Sequence, residues 1–290
     1  MDKIYLTAYY FVKFVVFVLP NFCLNGFANF IAFFAYLIDK KHKRIILANL
    51  NLAFGDKISH EKKLEICKNC YKFFANFGID FIKNQNTTKE KILQKVNFEN
   101  EKIMQDALNS GRGVILQTAH FGNWELASLA IAAKFGKISV IGRNLDSAVM
   151  DKILIKNRTQ FDIELISKTK AAKNSLKALK NGRILGILTD QNTIKSEGIK
   201  VSFFGKDVLH TSAASIFAQK TDALIVSAFI CENVVKFFEP IDINKFDKNE
   251  AVLKATQLQS NATENIIRQK PEEYFWFHKR FKAFYGEIYE

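Results

Sequence analysis

The sequence predicts an α/β protein with a mixed, largely parallel sheet flanked by helices and an N-terminal helical membrane-attached segment. Three observations predict it. From about residue 100, short apolar runs alternate with helix-period stretches, the pattern of crossover units in a parallel sheet. The first 38 residues are almost wholly apolar and aromatic, and a basic cluster follows them. No repeat or low-complexity linker divides the remainder, so residues 1–40 read as a hydrophobic anchor or interfacial helices and 41–290 as one domain.

Residues 4–19, IYLTAYYFVKFVVFVL, carry one charge, Lys13, and stop at Pro20. The run is short for a bilayer span, which takes about 20 apolar residues. Residues 22–38, FCLNGFANFIAFFAYLI, lead into Asp39, Lys40, Lys41, His42, Lys43 and Arg44. No small-residue cleavage site follows a clean apolar core, so no signal peptide is read. Three arrangements stay open: one span with the lysines on the cytoplasmic side, an aromatic-rich helix lying in the interface, or a helical hairpin buried on the domain. Phe and Tyr beside a basic cluster favour membrane attachment by one of the first two.

Further along, 41–54 reads as a helix stopped by Gly55. Ser59 caps a long helix over 60–84, and Thr88 opens a short one. EKIMQDALNS (101–110) is a helix ended by Gly111, and VILQTA (114–119) a buried strand. Helix 123–136, strand 138–143, helix 146–159, strand 164–167 and helix 169–181 follow, then strand 183–190, helix 211–221, strand 223–231 and a last helix over 249–269. In such sheets the ligand sits beyond the carboxyl ends of the strands, so the residues after 119, 143 and 190 are where chemistry is sought.

The chain has 290 residues, 42 of them Lys or Arg and 29 Asp or Glu, for a net charge of +13; 48% are hydrophobic and 28 are Phe. That apolar content excludes a disordered chain. The charge admits a membrane surface, a nucleic acid or an acidic protein. No zinc-finger, RNP or helix-turn-helix pattern supports nucleic acid, which is set aside. Cys67 and Cys70 form a CxxC with no second pair, so they read as small apolar residues on one helical face of a protein in a reducing compartment.

The chemistry gathers in TAHFGNWELA. If a strand ends at His120 and a helix begins near Asn123, the turn brings Glu125 beside the imidazole. Glu125 then accepts from one ring nitrogen while the other takes a proton from a hydroxyl. No serine or cysteine stands nearby in sequence as a nucleophile, which points to direct activation of an acceptor hydroxyl. Alone, the spacing favours the plainer reading, a histidine ending a strand and a glutamate capping a helix.

The company of that motif is more specific. GRGVILQTAHFGNWELA resembles the motif of the bacterial lipid A late acyltransferases, the lauroyl/myristoyl transferase family within the lysophospholipid acyltransferase group, whose hallmark is HxxxxD/E. Asp190-Gln191-Asn192, VSFFGKDVLHT (201–211) and NATENIIRQKPEEYFWFHKRFK (261–282) are similar to further family segments in the same order, as are Arg44 and Asn49-Leu50 upstream. The resemblance implies an acyltransferase domain over 41–290. It would move a fatty acyl chain from acyl carrier protein to a hydroxyl of a lipid A precursor at the cytoplasmic face of the inner membrane. It implies His120 as base and Glu125 as its partner, with no metal and no cofactor, because a thioester is already activated. Arg158, Asp190, Asn123 and Arg143 are the substrate-binding candidates. Arg158 would face the oxyanion or a phosphate; Asp190 would orient Arg158 or hold substrate. His278 and Arg280 would either bind a headgroup or belong to a surface-lying aromatic-basic segment. Two alternatives stand beside this reading. One is a glycerophospholipid or other glycolipid acyltransferase, against which the C-terminal segment speaks. The other is a catalytically dead interaction protein, against which intact His120 and Glu125 speak.

Overall fold

The computed structural model describes residues 2–290 except 143 and 144. Arg143, a candidate from the sequence, lies outside the described residues. Two apolar helices come first, α1 (Asp2–Val18) and α2 (Asn21–Ile38), separated at Leu19 and Pro20. Then come α3 (Lys40–Phe54), α4 (His60–Lys83) and α5 (Lys89–Lys95). Their starts are capped as the sequence suggests: Ser59 accepts from Lys62 N–H and Thr88 from Lys91 N–H.

The α/β part runs β1 (Asn97–Glu99), α6 (Glu101–Asn109), β2 (Val114–Thr118), α7 (Trp124–Phe135), β3 (Ile138–Gly142), α8 (Ala148–Arg158) and β4 (Ile163–Ser167). It continues through α9 (Ala171–Lys180), β5 (Ile184–Leu188), β6 (Gly198–Phe203), β7 (Lys206–Thr211), α10 (Ala213–Thr221), β8 (Leu224–Cys231), β9 (Val234–Phe237) and α11 (Ala251–Gln269). Among the described residues the strands form a seven-stranded sheet, β1-β9-β8-β2-β5-β3-β4, and a separate hairpin, β6-β7. Every pair in the large sheet is parallel except β8 with β9.

Alternate side chains of β2 enter different cores, as the two-residue period of a strand requires. Leu116 packs with α7 residues Leu126, Ala127 and Ile131 on one face, while Ile115 packs with Ala214 of α10 and Ala255 of α11 on the other. Burial on both faces explains why β2 and β5 read as continuous apolar runs. The sequence reading passed over β1 and β9, three and four residues long, and the β6-β7 hairpin. The hairpin turns at Phe204 and Gly205, both with positive φ (54° and 70°), the backbone of a tight two-residue hairpin.

A third core joins α3 and α4 to the hairpin and the C-terminal segment. Trp276 and Phe281 are fully buried in it, so this segment is not the surface-lying one that its aromatic-basic composition allowed. Cys67 and Cys70 face inward from α4, and burial pushes the Cys67 thiol up to about 12. Helix α2 lies along α4: Leu24, Ala28 and Ala32, four residues apart, are its buried stripe. Its two ends are tied by Lys83 Nζ donating to Asn21 Oδ1 (2.9 Å) and Tyr71 Oη donating to the Asp39 carbonyl (3.4 Å). The opposite faces of α1 and α2 are exposed.

Candidate active site

Register builds the centre of the site. In the β2–β5 pair, Thr118 stands opposite Leu188, and Thr189 N–H donates to the Thr118 carbonyl. Two residues further, the same register brings His120 opposite Asp190. His120 Nδ1 lies 2.9 Å from Asp190 Oδ1, and Asp190 is only 2% exposed. Burial alone would raise the Asp190 carboxyl. The charge and hydrogen bond of His120, with the charge of buried Arg280, hold it down to about 2 instead. An ionised Asp190 fixes the proton on Nδ1 and leaves Nε2 as the basic lone pair. Nε2 faces the cavity, with Gln191 Nε2 at 3.5 Å.

The carboxylate expected at the imidazole, Glu125, is elsewhere. It sits in the first turn of α7, buried, and takes a forked grip from Arg158 at the end of α8. Arg158 Nε lies 2.9 and 3.1 Å from its two oxygens, Nη2 donates to Oε1 as well, and Trp124 Nε1 donates to Oε1 at 3.1 Å. Burial would lower the Arg158 guanidinium, but Glu125 raises it through hydrogen bonds and charge. The structure thus exchanges the expected partners: Asp190 orients His120, and Glu125 orients Arg158. Sequence distance favours the nearer carboxylate, whereas insertion of β5 beside β2 supplies the remote one.

The turn between them depends on Gly122. Its φ is +61°, and a Cβ there would stand 1.8 Å from the Ile230 carbonyl oxygen. Asn123 then caps α7, accepting from Leu126 N–H at 3.1 Å, while its Nδ2 points to Asp80 at 3.5 Å. Both polar ends of Asn123 are engaged within the protein. The C-terminal segment clamps the same turn from below. Phe275 N–H donates to the His120 carbonyl, Gly122 N–H donates to the Glu273 carbonyl, and Phe121 bridges Tyr274. His278 Nε2 accepts from Asn192 N–H at 2.9 Å, and burial pushes this imidazole down to about 4, so it is neutral. Arg280 is 1% exposed, donates to the Leu209 carbonyl and lies over the Phe203 ring. Arg280 is therefore not a surface contact and stands behind Asp190, whereas half-buried His278 lines the same cavity as His120.

A cavity of about 970 Å³ opens at His120 and has two limbs. One runs between α7 and the sheet and is apolar, lined by Leu116, Ala127, Ile131, Val140, Gly186 and Ala228. Gly186 is closely packed in this wall, since a Cβ there would come within 3.0 Å of Val140 Cγ1. The other limb is mixed, with Gln191, Asn192, Lys168 and Lys220 beside apolar Ile187, Ile216 and Phe217. The His120 imidazole thus lines a cavity with largely apolar walls and several polar groups, which suits an amphiphilic substrate. Among the described residues no group of His, Cys, Asp and Glu is arranged to hold a metal ion.

Comparison with known proteins now fixes the family. The description "Bacterial lipid A biosynthesis acyltransferase" matches residues 2–283. The chain belongs to that family. Within the curated proteins, the chain is similar to the lipid A biosynthesis lauroyltransferase of Escherichia coli (strain K12), 20% identical over 254 residues. That match covers 84% of this chain and 80% of that protein. It is also similar to the phosphatidylinositol mannoside acyltransferase of Mycolicibacterium smegmatis, 22% identical over 123 residues, 41% of this chain and 40% of that protein. The match therefore spans less than half the length of that relative. Among solved structures, the 1-acyl-sn-glycerophosphate acyltransferase PlsC from Thermotoga maritima is a loose likeness, with a TM-score of 0.38 and 12% identity over 83% of this chain and 95% of that one. Membership in the lipid A acyltransferase family explains the shared order of the HFGNWE, DQN, FFG and C-terminal segments. The structure adds that three of these four meet at one crevice.

Proposed function

We propose that this protein is an acyltransferase of the lauroyl type in lipid A biosynthesis. It moves a fatty acyl chain from acyl carrier protein to a hydroxyl of a lipid A precursor, at the cytoplasmic face of the inner membrane. The observation that carries the reading is the His120–Asp190 pair at the junction of the two limbs, in a chain matched by the family over residues 2–283. His120 Nε2 takes the proton of the acceptor hydroxyl as its oxygen bonds to the thioester carbonyl carbon. The carbon–sulfur bond then breaks, and the imidazolium returns the proton to the departing thiolate. Asp190 holds the tautomer and steadies the imidazolium. Arg158, aimed by Glu125, supplies fixed positive charge to the developing oxyanion or to a phosphate of the acceptor. Asn123 shapes the helix start that carries Glu125. The apolar limb takes the acyl chain, and residues 1–40 hold the domain at the bilayer.

The test is transfer of a labelled acyl group from acyl carrier protein to a lipid A precursor by the purified protein, alongside mass spectrometry of lipid A from cells with and without it. The reading requires one added acyl chain and its loss with His120→Ala. A second reading, a different glycolipid as acceptor, is favoured by the likeness to the phosphatidylinositol mannoside acyltransferase. Transfer to a mannosylated phospholipid with none to a lipid A precursor would select it.

A further inference from the structure

We propose that α1 and α2, each packed on the folded body, lie in the plane of one leaflet of an anionic bilayer and that neither crosses it. The inference rests on the membrane contact proposed above and specifies its geometry. Among the described residues α2 is the one helix long and apolar enough to span, but only by length and composition. Its packing argues otherwise. It is bound along its length to α4, at Asn21 through Lys83 and at Asp39 through Tyr71. Helix α4 carries Lys68, Lys72 and Lys83 and belongs to the folded body. A crossing α2 would either drag those lysines into hydrocarbon or strip its Leu24–Ala28–Ala32 stripe from α4, and both are costly. Asn25 and Asn29 are also exposed in its middle, where hydrocarbon on all sides would leave their amides without partners.

Helix α1 is tied to the same side. Ser147 Oγ, at the cap of α8, donates to Asp2 Oδ1 at 2.8 Å. Tyr9 Oη and Lys13 Nζ both donate to Gln85 Oε1, at 2.7 and 3.0 Å. Lys13 is the one charge between Ile4 and Ile38, and it faces the body. What faces outward is apolar: Phe11, Phe14, Phe17, Phe22, Phe30 and Phe33 are 51–81% exposed. Lysines stand at both ends of α2, Lys83 at one and Lys40 with Lys41 at the other. That arrangement suits anionic headgroups around a helix lying flat; a spanning helix would carry them at one end.

The test uses the full chain with Cys23 and Cys231 replaced by serine and one cysteine added, Lys3→Cys or Pro20→Cys, in sealed membrane vesicles of both orientations. The in-plane arrangement requires that a membrane-impermeant maleimide label both positions from the cytoplasmic side only. Labelling of Pro20→Cys from the opposite side, or from neither side, overturns it. Flotation with phosphatidylglycerol-containing vesicles reads the contact itself: Phe14→Asp with Phe33→Asp lowers binding about tenfold or more. Failure of the unaltered protein to float removes membrane contact and the proposal with it. Acyl transfer to a detergent-dispersed acceptor, measured in parallel, reports on the reaction independently of either result.

Discussion

The amino-terminal helix pair and the crevice at the strand ends handle their side chains in opposite ways. Along α1 and α2, phenylalanines stand in the open and Lys13 is folded back onto Gln85. At the ends of β2 and β5, Asp190, Glu125 and Arg280 are buried around a cavity lined by His120. An exposed phenylalanine contributes little to folding and is available to gain free energy once lipid covers it. A buried carboxylate costs desolvation on folding, and what it yields is fixed orientation. On the proposed reading the first region is completed by a surface and the second by a substrate, and substitutions should separate them.

The largest effect is expected at the imidazole. His120→Ala should lower acyl transfer by about 10²–10⁴-fold with little loss of thermal stability, and Asp190→Asn should lower transfer similarly but also lower the melting temperature, because it leaves buried Arg280 without that charge. A similar loss from Glu125→Gln with none from Asp190→Asn would restore the nearer carboxylate as the partner of His120. Next comes Arg158→Met, which strands Glu125 in the interior and should cost about 3–5 kcal/mol, toward the lower figure because the Arg158 side chain is 24% exposed. Adding Glu125→Gln should return much of that stability in urea unfolding without returning activity.

Acid should loosen the region behind the crevice before the dyad itself. Burial first, and then Arg280, push the His210 imidazole from 6.5 to about 4, and His278 moves the same way. Between those values the unfolded chain binds protons that the folded one refuses, so stability falls as pH drops from 6.5 toward 4. Asp190 is depressed, so its contribution is present above the ordinary carboxylate range and is lost only as pH falls below about 4. Urea unfolding at steps from pH 7 to pH 4 should show the first loss, and His210→Asn should flatten it. A smaller effect is expected in the apolar limb. Gly186→Leu should shift the products toward shorter acyl chains, a preference of about 1–3 kcal/mol seen by mass spectrometry of mixed-donor reactions. The smallest is on the outer face of the first region: Phe14→Ser with Phe33→Ser should change unfolding free energy in detergent-free buffer by less than about 0.5 kcal/mol. A large destabilisation there would mean that the helix pair belongs to the folding core after all.

Most of the architecture was legible because its cause is local. The caps at Ser59 and Thr88, the glycine stops and the apolar runs of β2, β5 and β8 each announce themselves within a few residues. The β6-β7 hairpin was hidden because Phe204, not an asparagine or aspartate, takes its first left-handed position. In the site, His120, Glu125, Arg158 and Asp190 were all visible as chemistry at strand and helix ends. Their pairing was not, because it depends on β5 slotting in beside β2 after the chain has passed through β3 and β4. Arg280 stands beneath the site, and depth leaves no trace in spacing.

The clamp of residues 273–275 on the His120–Gly122 turn has a consequence for the order of assembly. During synthesis α1 and α2 emerge first, and the strands bearing His120 and Asp190 follow. The strip that braces His120 from below is made some 150 residues after the turn it braces. On the proposed reading, a nascent or prematurely ended chain would be moored to lipid before the turn that carries His120 is braced.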